Sequence, residues 1–524
     1  MVRRADPAGG RFRRRGRPCR AVGAARATAI ALAAASLGLP AAAQSVRTYY
    51  VQPSLTLTQT LTDNGRLDGG ERGSELITKV RPSVRISARG PRVQGTLAYA
   101  VEGTVHARDS DSNDVRQSLN LSSSGGLELI EDRLFLDGGA RISQQLITPF
   151  GDQPSDDSRS SDNLRQVTSY RLSPYLVGNL GSTARYRLGL SHSATIAADE
   201  SRFDGTTSSA QLDVTSGPAF GPLGWGVTAA RVVSDFDAGR RTEADTLLGT
   251  VSYVVDHNLV VRANAGVDWN DYRTVDKERY RRYGVGAEWR PTERTLLSAQ
   301  VDDRFFGTGH NVVFQHRTPR TVWSFSDSRD VTDVSGRTTA AVGTAFDLFY
   351  AQFASIQPDP LLREQLVLQF LQLNGIPPDT LLLSDFLFSS GTVQRRQRLS
   401  FALLGKRSTL TVAATQSRSS RADTLTNVGD VFADTAFVRQ RGLSVDVAHR
   451  LTPESSVNLL LAEQRSSGEL DTQSTRRRQA SLTWSVRVGW RTNFSLAARR
   501  TEFERPAGGY DENALIASLT MQFN

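Results

Sequence analysis

The chain has 524 residues, with 63 Lys+Arg against 54 Asp+Glu, 43 Gly and one Cys. A hydrophobic fraction of 39% and a mean hydropathy of −0.34 exclude a bundle of membrane helices, yet the chain is too apolar for a disordered polyelectrolyte. The net charge of +9 would suit nucleic acid or a lipid surface, but nine arginines from Arg3 to Arg26, against Asp6 alone, place +8 of it within residues 1–43, so nucleic acid is not an expected partner.

Residues 1–43 read as a cleaved secretory signal. An Arg-rich region ends at Arg26, an apolar run spans Ala27 to Pro40, and Ala41-Ala42-Ala43 offers a small-residue cleavage site before Gln44. The apolar run is about 14 residues, short of the ~20 a spanning helix needs. Cys19 precedes it, so the mature chain 44–524 has no cysteine, which excludes disulfides and thiolate metal sites.

From Ser54 to Phe523 the chain alternates with period 2 over stretches of about 10–14 residues, punctuated by Gly, Asp, Asn, Ser and Pro. In 77–89 the even positions Val80, Val84 and Ile86 are apolar, while Lys79, Arg81, Arg85 and Arg89 occupy the odd ones. In 259–270, Leu259, Val261, Ala263, Ala265, Val267 and Trp269 alternate with Arg262, Asn264, Asp268 and Asn270. Near the end, Leu482, Trp484, Val486 and Val488 alternate with Thr483, Ser485 and Arg487, and Arg491 follows Trp490. Soluble strands average about 5–6 residues, whereas a tilted bilayer-crossing strand needs ~9–11. The polar faces are too charged for a dry core but suit a water-filled lumen. Short links (Gly90-Pro91, 131–133, 179–182, 256–258, 291–294, 405–407, 452–454) alternate with long polar segments (62–75, 107–114, 148–163, 197–205, 272–279, 419–436, 467–476, 504–511). This asymmetry matches short periplasmic turns and long extracellular loops, predicting an all-β, antiparallel up-and-down barrel of about 20–22 strands in the outer membrane of a Gram-negative bacterium.

Residues 345–390 break the alternation. Asp359 suits an N-cap and Pro360 the first helical position, Leu362, Leu366, Phe370 and Leu373 recur at helical spacing, Gly375 suits the helix end, and Pro377-Pro378 stops continuation. A second apolar run, Leu381–Phe388, follows. The spacing predicts a short helical insert, either a loop excursion or an element that occludes the lumen or binds a partner, with its side of the membrane undecided. At the end, Leu515, Ala517, Leu519, Met521 and Phe523 form one apolar face, followed by Asn524; outer-membrane barrels commonly finish on such an aromatic, which their insertion machinery reads.

The mature chain resembles the outer-membrane proteins found with PEP-CTERM/exosortase systems. The resemblance is carried by Thr60–Asn64, Val80-Arg81-Pro82, Val322-Trp323-Ser324, Pro358-Asp359-Pro360 with Arg363, Val367, Phe370-Leu371 and Gly375, then Arg395-Arg396 and Leu404–Arg407. It covers nearly all of 44–524 through short, degenerate motifs. It implies a role in exopolysaccharide export or envelope assembly, with polysaccharide or envelope proteins as partners besides lipid, and brings no activity or site residues.

Catalytic and metal chemistry is not expected. His106, His192, His257, His310, His316 and His449 are scattered, and the six-residue spacing of His310 and His316 fits no zinc pattern. His192 sits between Ser191 and Ser193, but neighbours on one strand face opposite sides. The acidic stretch 151–157 lacks calcium-loop spacing and reads as a solvated extracellular loop. The chain is therefore read as a non-enzyme without cofactor. Arg81, Arg85, Arg89, Arg262, Arg487 and Arg491 are the candidate lumen-lining basic residues, with Arg185/Arg187, Arg395/Arg396/Arg398 and Arg476-Arg477-Arg478 as further basic runs. They either steer anions or are neutralised by acids such as Glu102, Glu128 and Asp268. The expected function is a pore or assembly component of an exopolysaccharide/PEP-CTERM envelope system; a general porin and a closed structural or adhesive barrel are the alternatives.

Overall fold

The computed structural model describes residues 48–67, 73–155, 161–332, 346, 349–350, 353, 357, 359–374, 386–389, 391–423, 425 and 430–523. The expected signal 1–43, Asp156-Asp157, Pro358, Gly375, Pro377-Pro378, 381–385 and Asn524 lie outside the described residues.

Twenty-two strands, from β1 (Thr48–Thr62) to β22 (Tyr510–Gln522), pair antiparallel with their sequence neighbours, and β1 pairs in turn with β22, from Ser54 opposite Gln522 to Thr62 opposite Ala514. The sheet is a closed barrel at the upper end of the expected strand count. Strands run from 10 residues in β13 (Thr295–Arg304) to 17 in β4 (Asp114–Ile130) and β6 (Leu164–Leu180), long enough to cross a bilayer at a tilt.

The period-2 pattern sorts the two faces. On β2 (Glu75–Arg89) Leu76 and Val80 point outward and are exposed, whereas Glu75 and Ile77 are buried inside. On β11 (Leu259–Asn270) the buried members are Asn264, Asp268 and Asn270. On β20 (Ser474–Arg487) Leu482 and Trp484 are exposed and Thr475 is buried; on β22 Leu515 and Met521 are exposed and Glu512 is buried. A wall that buries its polar residues and exposes its aliphatic ones is turned toward lipid. Tyr253, Trp289, Trp323 and Trp484 add exposed outward aromatics within two or three residues of their strand ends, forming a girdle at one rim.

That rim carries the short turns, such as 181–183, 257–258, 293–294 and 405–407. Gly181 supports the tightest geometry with φ +61°, and Asp132 does the same at φ +55° in the turn 131–133. The opposite rim carries 147–163, 422–437 and the insert 333–391. The alternation of lengths is broken in two places: the short-rim connection 217–222 is longer than the long-rim connection 237–241 that follows it, and Phe305-Phe306 joins β13 to β14 (Gly307–Arg317) by a tight turn on the long-loop rim. The insert follows β15 (Thr321–Thr332), so it starts from the long-loop, extracellular rim.

The two faces predict opposite responses to one charge. Leu482→Arg on the outward face of β20 should cost about 2–4 kcal/mol, seen as loss of the SDS-resistant folded band at a lower temperature. Thr483→Arg, facing the lumen one residue on, should leave that temperature unchanged.

Candidate functional site: the furnished lumen

Inward charges lie close to opposite partners. Lys79 meets Glu102 of β3 (Gln94–His106) at 2.9 Å, and Arg262 meets Glu288 of β12 (Glu278–Thr292) at 3.2 Å. Arg282 lies 3.9 Å from Asp268 and 3.6 Å from Asp302, and Arg304 reaches Asp268 at 3.6 Å and Asp330 at 2.5 Å. Arg81 and Arg85 share the inward face of β2. Arg487 faces inward at the short-turn end of β20 and is exposed. Arg491 lies off the strands, in the turn 488–491, with its guanidinium 3.6 Å from the Trp490 ring centroid. The side chain of Arg89 lies outside the described residues. The basic runs are split by the pleat: Arg396, Arg398 and Arg477 face inward, while Arg395, Arg476 and Arg478 face outward.

Of the candidate arginines, Arg85 joins an organised assembly. It donates to Glu364 Oε1 at 2.7 Å, and Glu364 belongs to the insert's helix α1 (Pro360–Asn374). Asp359 caps that helix as the sequence suggests, its Oδ1 accepting from the Leu362 N–H at 3.1 Å. The helically spaced Leu366 and Phe370 pack beside a more deeply buried pair. Val367 and Leu371 are fully buried against Phe349 and Phe353, while Leu366 and Phe370 flank them, because the aromatic segment before the helix supplies the opposing surface. α1 also contacts β18 (Val438–Arg450) and β19 (Ser455–Ser467). Arg85 lies ten residues below the long-loop end of β2, so α1 reaches deep into the lumen.

The described part of the return limb, 386–389, packs at the mouth. Leu387 N–H donates to Leu146 O at 2.8 Å, extending β5 (Leu134–Leu146) by a parallel bridge. Phe386 and Phe388 pack with Leu146, Val431, Phe432 and Val438, and Leu387 packs with Val167, Ala197 and Phe203. Ser389 donates through N and Oγ to Asp430 Oδ2 at 3.2 and 3.1 Å, and Arg421 holds the same carboxylate at 2.8 Å. The described part of the β5–β6 connection is not the solvated loop expected from its acidic composition. Gln153 and Ser155 are buried. Arg477 donates to Ser155 O at 2.9 Å, Thr475 to Pro149 O at 3.0 Å, and Tyr510 to Gln153 O at 2.7 Å. Arg499 reaches Ser155 Oγ at 3.2 Å and pairs with Glu512 at 3.1 Å. Inward donors near the rim draw the loop's carbonyls into the mouth.

On the outer wall, His192 Nδ1 lies 2.9 Å from Ser208 Oγ of β8 (Gly205–Ser216), while Ser191 faces inward to Arg171. Sequence reasoning separated His192 from its neighbours correctly but missed Ser208, which only the pairing of β7 (Ala184–Ala197) with β8 supplies. Equivalent hydroxyl contacts hold His316 to Thr295 and His449 to Ser408, both at 2.8 Å, so a hydroxyl partner is the common way an outward histidine is satisfied here.

A closed barrel with an apolar outer belt, an aromatic girdle and a polar interior is an outer-membrane β-barrel. No family model matches the sequence, and no curated protein matches it. Among solved structures, the siderophore receptor PirA from Pseudomonas aeruginosa aligns at 11% identity over 91% of this chain and 81% of that one, with a TM-score of 0.41. The ferric-catecholate import receptor Fiu from E. coli K12 aligns at 10% over 90% and 82%, with a TM-score of 0.47. OccK2 (OpdF) from Pseudomonas aeruginosa aligns at 10% over 90% and 98%, with a TM-score of 0.32.

The Arg85–Glu364 pair is partly screened from water, and an ionic hydrogen bond of this kind contributes about 1–2 kcal/mol. Arg85→Ala should speed amide exchange across 360–374 roughly 10-fold. The charge swap R85E/E364R should restore protection, as read by hydrogen-exchange mass spectrometry.

Proposed function

We propose that the protein is an outer-membrane conduit whose resting lumen is closed by its own insert, and that it serves exopolysaccharide export or assembly in a PEP-CTERM-type envelope system. The observation that carries the conduit is the position of α1, ion-paired to Arg85 deep in the lumen while its return limb is woven into the mouth. A barrel with only a structural or adhesive task has no need of an insert that reaches so far below its loops. The polymer reading draws on the resemblance of the sequence and on inward arginines near the periplasmic rim. Arg185, Arg187 and Arg487 stand where an anionic polymer would enter from the periplasm. The outward face ending in Phe523 is the surface offered to the insertion machinery.

Planar-bilayer recording of the purified barrel tests the conduit. The intact protein should be nearly silent, and removal of 345–390 should give large, stable openings. If the intact protein conducts ordinary ions freely, it is a general porin; if the deleted protein folds yet stays silent, the closed structural barrel stands. The polymer reading is tested separately by polysaccharide secretion from a deletion strain, which should fall and should recover with the wild-type chain.

A further inference from the structure

Like charges placed opposite one another on adjacent strands repel, yet the outward wall from β15 to β20 carries two unbroken rows of arginine. Arg329, Arg395, Arg418 and Arg439 are successive direct partners across β15, β16 (Thr392–Leu404), β17 (Ser408–Arg421) and β18. Arg441, Arg465 and Arg476 are successive partners across β18, β19 and β20. All seven share the face that exposes Trp323, Leu399, Leu443, Leu461 and Leu482 lower on the same strands.

Their height is uniform. Each stands 8–11 residues from the short-turn end of its strand, about 25 Å up a wall of strands tilted ~40°. That is the upper edge of an apolar band ~25 Å tall, where acyl chains give way to outer-leaflet headgroups.

Among the described residues, carboxylates do not balance the rows. Asp327 takes Arg395 at 2.6 Å, and Glu463 takes Arg476 at 3.1 Å and also Arg465. Arg329 donates to the carbonyls of Thr308 and Phe306. Arg418 and Arg439 lie 4.5 and 5.7 Å from the Phe437 ring, and Arg441 donates to the neutral amide of Gln416 at 3.0 Å. On the wall formed by β9 (Leu223–Phe236) and β10 (Thr242–Asp256) the outward charges do balance: Arg231 meets Glu243 at 2.7 Å, and Lys277 meets Glu243 and Asp245 at 2.8 and 2.6 Å. The rows on β15–β20 thus carry an excess of positive charge at the level of the lipid headgroups.

We propose that this arginine rim binds the phosphates of an anionic glycolipid of the outer leaflet, whose acyl chains lie on the exposed leucines below. Guanidinium groups match phosphate oxygens two at a time. A row of four on strands ~4.8 Å apart spans ~15 Å, the reach of a disaccharide headgroup phosphorylated at both ends. Bound phosphate would remove the repulsion along each row and hold a lipid annulus on one side of the barrel. The inference rests on the barrel wall and is independent of whether the lumen conducts.

The test uses the full-length folded barrel in phosphatidylcholine nanodiscs containing bis-phosphorylated lipid A, with retained lipid read by native mass spectrometry. The wild type should keep the glycolipid, and retention should fall at least ~10-fold for the dephosphorylated form and for R418Q/R439Q/R441Q, and should weaken with salt. Heat-modifiability establishes that the triple variant is folded; if it is not, R418K/R439K/R441K replaces it and should bind with intermediate strength. Equal retention by the wild type and the folded variant, or of both glycolipid forms, overturns the proposal. It is likewise overturned if soluble dextran sulfate binds through these arginines and lipid A does not compete.

Discussion

The hydrogen bonds between β1 and β22 are the contact on which everything else in this protein depends. In lipid an unpaired N–H or C=O costs several kcal/mol, so a sheet can cross a membrane only when its first and last strands meet. The pairing of Thr56 with Thr520 and Thr58 with Ser518 joins residues more than 450 positions apart, and their hydroxyls meet on the inner side at 3.1 and 3.0 Å. Closure then divides the wall into two solvents. The same alternation that would make an amphipathic sheet in water here sends leucine, valine and tryptophan to lipid, and serine, threonine and ionic groups to the lumen.

A polar interior makes the insert possible. Guanidinium and carboxylate groups on the inner wall stay close to water and to one another, so a charged helix is received without stripping bare charges of their solvent. α1 satisfies its own apolar stripe with Phe349 and Phe353 and presents Glu364 to Arg85. At the mouth apolar packing joins the polar contacts. Phe386, Leu387 and Phe388 meet apolar side chains from β5–β7, β18 and the loop at 430–433, beside the Ser389–Asp430–Arg421 contacts.

The outer wall shows a comparable division by height. Its lower part is aliphatic with aromatics at the short-turn rim, and its upper part is charged. On β9 and β10 those charges are paired, whereas on β15–β20 arginines line up in rows, which gives the barrel a basic side that the near-neutral charge of residues 44–524 conceals.

Much of the barrel was legible because period 2 is a local property: each strand declares its two faces without knowing its neighbours. Turn lengths are local too, and so is the Asp359-Pro360 helix start. The burial of Val367 and Leu371 was not legible because it comes from Phe349 and Phe353, whose approach no helical spacing encodes. The loop holding Gln153 and Ser155 read as solvated because its partners Arg477, Arg499 and Tyr510 lie more than 300 residues away. Arg395 and the run Arg476–Arg478 stood out as basic, but only strand register places Arg395 beside Arg418 and Arg476 beside Arg465 on the lipid-facing wall. The sequence by itself determined which residues alternate, how long each strand is and where the pattern breaks, since these follow from backbone geometry over a few residues. Only the tertiary structure decided which side the insert enters, which charges are neutralised and which line up in rows, because those depend on register and closure between segments that the chain keeps far apart.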